Sequence, residues 1–190
     1  GDDASDPQVS DNRVRQCGPG KLTLEPGPRT VAYGERLMVH GLFLGQLPGT
    51  RVVAELRPAG KREFVRADST HSKPNGRFKL VLRPKIGAIV RVRSGAIAGP
   101  TFHVQVQPRL VLRRRGSKLV ARVRAGRSYA GRSVALQARR HGRWVVVQRI
   151  ELQRKSRARF EPAVHGVLVR LAVGPSRGYL PAHSEPLRLR

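Results

Sequence analysis

The chain has 190 residues and a formal charge of +26 at pH 7, with 38 Lys and Arg against 12 Asp and Glu. This length leaves room for one or two domains, and the charge draws the protein toward anionic surfaces without specifying a fold. The single cysteine, Cys17, excludes an intrachain disulfide and a cysteine metal cluster, and no apolar run approaches the roughly 20 residues of a membrane helix.

The first twenty residues, GDDASDPQVSDNRVRQCGPG, hold four of the twelve acidic residues and almost no apolar ones. This composition predicts a disordered acidic tail over residues 1–20. Cys17 is interpreted as an unreactive thiol in this tail, with intermolecular pairing as the alternative. Because the chain begins with Gly1 rather than Met, we expect that a targeting segment has been removed.

From residue 21 onward, apolar residues alternate with polar ones in short runs separated by Gly, Pro and Asn, which predicts strands and turns. The predicted strands of the first half are 22–24, 36–42, 51–57, 62–67, 77–82, 88–93 and 101–107. Those of the second half are 110–113, 118–125, 133–139, 143–152, 157–161, 167–173 and 186–190. Seven strands in each half have the spacing expected of a β-sandwich.

The two halves also match each other. LPGTRVVAELRPAGKREFVR (47–66) aligns without a gap with YAGRSVALQARRHGRWVVVQ (129–148), and Phe78 falls on Phe160 at the same offset of 82 residues. A shared offset over several elements is typical of an internal repeat.

Further along, AIVRVRSG (88–95) resembles VLVRLAVG (167–174). Two copies of one domain are therefore predicted, over residues 21–108 and 109–190. Only Gln107-Pro108-Arg109 joins them, and because proline fixes its own φ, we expect a fairly defined angle between the domains.

Each copy opens with a Leu-x-Leu strand, continues with a strand pair framing a Gly turn and a GRF or RARF motif, and closes with a strand after an aromatic or proline turn. In this pattern, and in HGRWVVVQ (141–148), the chain resembles the tandem immunoglobulin-like (fibronectin-III-like) β-sandwich repeats of secreted and cell-surface bacterial proteins. The resemblance implies an all-β fold of two consecutive seven-stranded immunoglobulin-like antiparallel β-sandwiches. It also implies a secreted or cell-surface, extracytoplasmic location and a role as a spacer, adhesin or appendage.

The alternation also predicts the core. In the first copy the predicted core residues are Leu37, Val39, Val52, Ala54, Leu56, Phe78, Leu80, Val90, Val92, Phe102 and Val104. In the second copy they are Leu119, Val123, Val134, Leu136, Trp144, Phe160, Val169, Leu171 and Leu187.

Positive charge is concentrated in the second copy, where residues 109–190 hold 21 basic and 3 acidic residues, against 15 and 5 in residues 21–108. Alternation places nearly every strand arginine on a solvent face, which an ordinary one-sided sheet explains without a ligand. The excess of 31 Arg over 7 Lys is also compatible with compositional bias. The alternative hypothesis is electrostatic binding of an anionic polymer, such as a cell-wall polyanion, an acidic glycan or nucleic acid. The predicted binding residues are Arg113, Arg114, Arg115, Arg139, Arg140 and Arg143.

We predict neither an enzyme nor a cofactor site. The segment ADSTHSKPNG (67–76) crowds Asp68, Ser69 and His71 together, but a predicted turn does not hold a nucleophile and a base rigidly. The six histidines lack ligand spacing, so no metal site is predicted. Without a helix for the major groove or an aromatic platform, sequence-specific nucleic-acid binding is not expected. The sequence leaves oligomeric state and an alternative partner, another surface protein, open.

Overall fold

The computed structural model describes residues 20–189, which form strands, turns and one 3₁₀ turn at Arg154–Ser156. The first eight strands are β1 (Lys21–Leu24), β2 (Thr30–Ala32), β3 (Leu37–Leu44), β4 (Arg51–Pro58), β5 (Val65–His71), β6 (Arg77–Leu82), β7 (Ala88–Ser94) and β8 (Ile97–Gln107). The next eight are β9 (Arg109–Arg115), β10 (Lys118–Arg124), β11 (Ser133–Arg140), β12 (Arg143–Glu151), β13 (Arg157–Phe160), β14 (Leu168–Val173), β15 (Ala182–His183) and β16 (Leu187–Arg188). Within the described residues, no helix is long and apolar enough to cross a membrane. The predicted tail lies outside them, apart from Gly20.

The first sandwich packs a three-stranded sheet, in the order β1-β3-β6, against a five-stranded sheet, in the order β2-β8-β7-β4-β5. Along β3 and β6 every second residue is buried, because side chains on a strand alternate between its two faces. Phe78, Leu80 and Val90 are among the residues that fill the space between the sheets. The core is therefore made of the alternating apolar positions that the sequence pattern predicts.

The second sandwich repeats this plan. Its three-stranded sheet has the order β13-β10-β9, and its five-stranded sheet has the order β12-β11-β14-β15, with β16 also paired to β14. The predicted fold class, all-β with two consecutive immunoglobulin-like sandwiches, is confirmed. Each sandwich has one short strand beyond the predicted seven, β2 and β15, and strands of two or three residues are too short to show alternation.

Corresponding strands keep corresponding irregularities. The pairing of β4 with β5 shifts register between Ala54 and Glu55, and the pairing of β11 with β12 shifts between Leu136 and Gln137, 82 residues later. A β-bulge of this kind adds one residue to a strand and reverses which face the following side chains occupy. The paired bulges place Glu55 and Gln137 at equivalent positions in the two sandwiches.

One predicted core residue is placed wrongly by the sequence pattern. Trp144 is half-buried and opposes Arg139 on the outer face of its sheet. If side chains alternated without interruption from the buried Ile150, Trp144 would point into the core. The bulge adds one unpaired residue, Val147, to β12, so the residues before it occupy the opposite faces and Trp144 points outward. The other predicted core residues are buried or packed against the core.

A side chain of the second sandwich completes the core of the first. Tyr179 lies in the segment between β14 and β15, is 5% exposed, and belongs to the first core cluster. Its hydroxyl donates a hydrogen bond to the carbonyl of Lys85 and accepts one from the amide of Gly126, both at 2.8 Å. Burial is the main cause that raises the pKa of Tyr179, so the phenol stays a donor. Tyr179 thus links the second sandwich to the core of the first.

Candidate anion-binding surface

The outer face of the β13-β10-β9 sheet is covered by arginine. Because side chains alternate along each strand, Leu119 and Val123 point into the core, and Val120, Arg122 and Arg124 lie on the outer face, where Val120 is buried and both arginines are exposed. We call this surface the arginine face and define it by eight residues. They are Val111, Arg113, Arg115, Val120, Arg122, Arg124, Arg157 and Arg159.

Strand pairing brings arginines from distant parts of the sequence side by side. Val120 of β10 opposes Arg113 of β9 on one side and Arg159 of β13 on the other. In the next row of this face, Arg122 opposes Val111 and Arg157. Neighbouring strands lie about 5 Å apart and alternate residues about 7 Å apart along a strand, which sets the grid of charges.

The centre of the arginine face is a shallow groove of about 180 Å³. It is lined only by Val111, Arg113, Arg115, Val120, Arg122, Arg124 and Arg157. The two valines form an apolar floor, and the guanidinium groups stand around it. A groove with this lining has many hydrogen-bond donors and no acceptor side chain, so it fits an oxyanion.

Carboxylates are scarce around this surface. Glu161 is the one acidic group of the described residues that pairs with this sheet, and its carboxylate lies 3.6 Å from Lys118. No ion pair involving the six arginines is found among residues 20–189. Like charges on neighbouring strands cost about 0.2–1 kcal/mol per pair, a cost that a bound anion removes.

The structure divides the six predicted binding residues among three places. Arg113 and Arg115 lie on the arginine face, whereas Arg114 has the opposite parity, is exposed at the end of β9, and donates to the carbonyl of Gly116 at 3.0 Å. The other three lie on the β11–β12 hairpin, in the other sheet of the sandwich: Arg139, Arg140 and Arg143.

Four arginines of the face were missed as binding residues by the sequence analysis: Arg122, Arg124, Arg157 and Arg159. The alternation of apolar and polar residues already predicts that these arginines face solvent. It does not predict that they lie side by side on one surface, because that depends on β13 pairing with β10 across more than thirty intervening residues. A signal was present in the RARF motif, whose two arginines share one face.

The first sandwich pairs two arginines of its five-stranded sheet with a carboxylate. Glu55 is 6% exposed, and its two oxygens accept hydrogen bonds from Arg91, the shorter at 2.6 Å, and from Arg93 at 2.8 Å. Arg91 also stacks on Phe64, with 4.0 Å from its guanidinium carbon to the ring centroid. Burial by itself raises the pKa of the Glu55 carboxyl, but the hydrogen bonds from Arg93 and Arg91 outweigh it, and the pKa lies below its ordinary value.

The second sandwich has an amide where the first has that carboxylate. Gln137 opposes Arg170, as Glu55 opposes Arg91, and its Oε1 accepts a hydrogen bond of 2.8 Å from the Nε of Arg170. Arg170 stacks on Trp144 at 4.3 Å. The geometry of the pair is retained, but Gln137 leaves the positive charge of Arg170 uncompensated.

The polar segment 67–76 supports the fold. Residues 67–71 belong to β5 rather than to a turn, which corrects the sequence-based boundary. Asp68 accepts a hydrogen bond from the amide of Val81 at 2.7 Å, and Ser72 accepts one from the amide of Thr50 at 3.1 Å. Among residues 20–189, no group of three His, Cys, Asp or Glu side chains could hold a metal ion.

A cavity of about 600 Å³ lies between the sandwiches. Arg57, His103 and Tyr179 are among its lining residues. Gly87 and Gly178 meet at its edge, where the amide of Gly87 donates to the carbonyl of Gly178 at 2.8 Å. The cavity therefore marks where the two domains touch.

Fold and surface together define a two-domain immunoglobulin-like protein with an arginine-covered sheet. No family model and no curated protein matches the chain. Among solved structures, the chain is similar to a marsupial T cell receptor, with 13% identity and a TM-score of 0.38 over 89% of this chain and 62% of that one. It is also similar to native alpha-2-macroglobulin from Escherichia coli spanning domains MG0-NIE-MG1, with 12% identity and a TM-score of 0.32 over 90% and 64%. The chain spans less than two thirds of either structure, and the likeness concerns the fold alone.

Proposed function

We propose that this protein is a non-catalytic, extracytoplasmic binding module that attaches to anionic polymers through the arginine face. The observation that carries the proposal is the groove lined by five arginines and two valines. Its ligand class is a cell-wall polyanion, an acidic glycan or the phosphate backbone of a nucleic acid. The extracytoplasmic location is supported by the resemblance of the sequence to the repeats of surface proteins.

The shape of the face favours a polymer over a small anion. The β9 strand runs seven residues, or about 20 Å, and carries Arg109, Arg113 and Arg115 on the exposed side. Each polymer charge placed on such a grid releases counterions, so binding gains strength with the number of contacts. A flat array of this extent suits a linear ligand that lies along the strands.

The chemistry of the arginine face favours recognition of the ligand's negative charges over recognition of a base sequence. Val111 and Val120 are its apolar residues, and none of its eight members is aromatic, so the face lacks the aromatic platform typical of single-strand binding. Guanidinium groups bind phosphate and sulfate through bidentate hydrogen bonds. The proposed ligand is therefore recognised by its spacing of oxyanions.

A salt titration tests the proposal. The probes are fluorescently labelled inorganic polyphosphate and heparin, and fluorescence anisotropy gives the affinity at about 50 and 200 mM salt. The double variant Arg157→Gln/Arg159→Gln removes two charges from the face. We expect weaker binding and a salt slope smaller by about 1–2.

The corresponding strand of the first sandwich supplies a charge-matched control. Arg77→Gln/Lys79→Gln removes the same charge from β6, which corresponds to β13, and Arg77 is the counterpart of Arg159. Affinity and slope should stay near those of the wild type. Equal losses in the two variants would mean that net charge, rather than the arginine face, governs binding.

A spacer role is the second candidate, and the buried Tyr179 favours it. The amide of Leu180 donates to the carbonyl of Val106 at 3.0 Å, beside the hydrogen bond of Tyr179 to Lys85. Together with the short Pro108 link, these contacts give a two-domain body of defined length. Small-angle scattering tests the spacer role, because a spacer requires one fixed distance between its domains and a broad distribution of that distance would contradict it.

A further inference from the structure

The opposite side of the second sandwich carries a different charged surface. Its five-stranded sheet turns outward Trp144 on β12, Gln137 and Arg139 on β11, and Arg170 on β14. We call these four residues the tryptophan face. Because they lie on the other sheet, they point away from the arginine face, across the thickness of the sandwich.

Arg170 is held in position before any ligand arrives. The ring of Trp144 supports one side of its guanidinium group, and Gln137 binds its Nε. Among the described residues, neither terminal nitrogen of Arg170 has a hydrogen-bond partner. An immobilised guanidinium with a free edge loses little conformational entropy when it binds an oxyanion.

In the first sandwich, the arginine that corresponds to Arg170 is already paired with a carboxylate. There, Glu55 occupies the position of Gln137, and its carboxylate engages both Arg91 and Arg93. In the second sandwich no carboxylate of the described residues pairs with Arg170. Arg139, directly opposite Trp144, adds a second positive charge to the same patch.

We infer that the tryptophan face is a second oxyanion site, centred on Arg170, for the phosphate or sulfate groups of the polymer. This inference rests on the proposed function, since it supplies the same ligand class with a second point of attachment. With one site on each side, the second sandwich links two polymer strands. The protein is then a polymer cross-linker as well as a binder.

Trp144 reports its own site, because it is the only tryptophan of the chain. We expect its emission to change saturably when inorganic tripolyphosphate is added at low salt. Gln137→Glu places a carboxylate beside Arg170, as in the first sandwich, and should weaken this response about fivefold or more. A response of wild-type strength in Gln137→Glu overturns the inference.

Two further variants complete the test. Arg157→Gln/Arg159→Gln changes only the opposite face and should keep the emission response. Arg170→Lys keeps the charge but removes the planar guanidinium group that stacks on Trp144 and can bind an oxyanion through two nitrogens. It should therefore weaken the emission response, and it tests the site even if Gln137→Glu proves unstable. A response unchanged in Arg170→Lys also counts against the site.

Light scattering with long-chain polyphosphate then tests cross-linking. Wild-type protein should produce large assemblies near charge equivalence, and Gln137→Glu should bind the polymer without assembling it. If Gln137→Glu assembles polyphosphate as the wild type does, the second site is refuted while the proposed function stands. If the emission response persists but Arg157→Gln/Arg159→Gln binds polymer normally, the proposed function fails and the second site stands.

Discussion

At equivalent bulges, Glu55 of the first sandwich binds two arginines, whereas Gln137 of the second binds one. The strand pairing is the same, but two residues differ: Gln137 stands where the first sandwich has Glu55, and Ala172 stands where it has Arg93. In the first sandwich the arginines satisfy a buried acid and become part of the structure. In the second, Gln137 leaves the charge of Arg170 uncompensated. The same fold therefore carries one arginine that is paired with a carboxylate and one that is paired with an amide.

The outer faces of the three-stranded sheets differ in the same direction. The first sandwich exposes Met38 and Leu44, at 50% and 48%, next to Arg77 and Lys79. The second has arginines on nearly every outward position of the corresponding strands. Because both sheets form with the same topology, arginine is not required for folding. Its concentration on one sandwich supports a role in binding.

The largest expected effect concerns the dependence of the first sandwich on Tyr179. Tyr179→Ala leaves a cavity in its core and should lower the free energy of unfolding by about 3–5 kcal/mol. Tyr179→Phe removes only the hydroxyl and should cost about 1–2 kcal/mol. Urea denaturation with domain-resolved hydrogen exchange measures both. Loss of protection confined to residues 109–189 would contradict the view that the first core needs this ring.

The next effect tests whether Glu55 and Gln137 differ energetically. Glu55→Ala leaves Arg91 and Arg93 without their acceptor, and we expect a loss of about 2 kcal/mol, because both arginines are partly exposed. Gln137→Ala removes one hydrogen bond and should cost about 1 kcal/mol. Chemical denaturation gives the two values. Equal costs would show that the carboxylate is no more structural than the amide.

Acid should affect the two sandwiches unequally. Since the pKa of Glu55 is lower in the folded protein than its ordinary value of 4.5, its contribution is complete above that value and is lost as the pH falls through the folded pKa. Hydrogen exchange between about pH 5 and pH 2 should show the first sandwich losing stability in this range. Glu55→Gln should flatten that dependence. A pH profile that is identical in Glu55→Gln and wild type would rule out this carboxyl as the cause.

The smallest effect concerns repulsion on the arginine face. Arg157→Gln/Arg159→Gln relieves like charges and should stabilise the second sandwich by up to about 0.5 kcal/mol at low salt. Arg77→Gln/Lys79→Gln should give no gain, because Arg77 has Glu25 nearby, at 3.8 Å. Thermal melting at low and high salt compares them. Stabilisation that persists at high salt would point to a cause other than charge.

The amino-acid sequence by itself determined the fold class and the repeat. Alternation of apolar and polar residues is a local property, and it identifies the strands because each strand buries one face. The shared offset of 82 residues then identifies Phe78 with Phe160 and Glu55 with Gln137. These features survive in the sequence because they repeat over short distances.

Only the tertiary structure decided which charges meet. Arg122 and Arg157 are neighbours because β10 pairs with β13, and pairing between distant strands leaves no mark on local periodicity. The outward position of Trp144 depends on one extra residue at a bulge, which reverses every side chain before it. The insertion of Tyr179 into the first core depends on the contact between domains. Both proposed sites therefore arise from strand pairing, and their residues become visible as groups only in three dimensions.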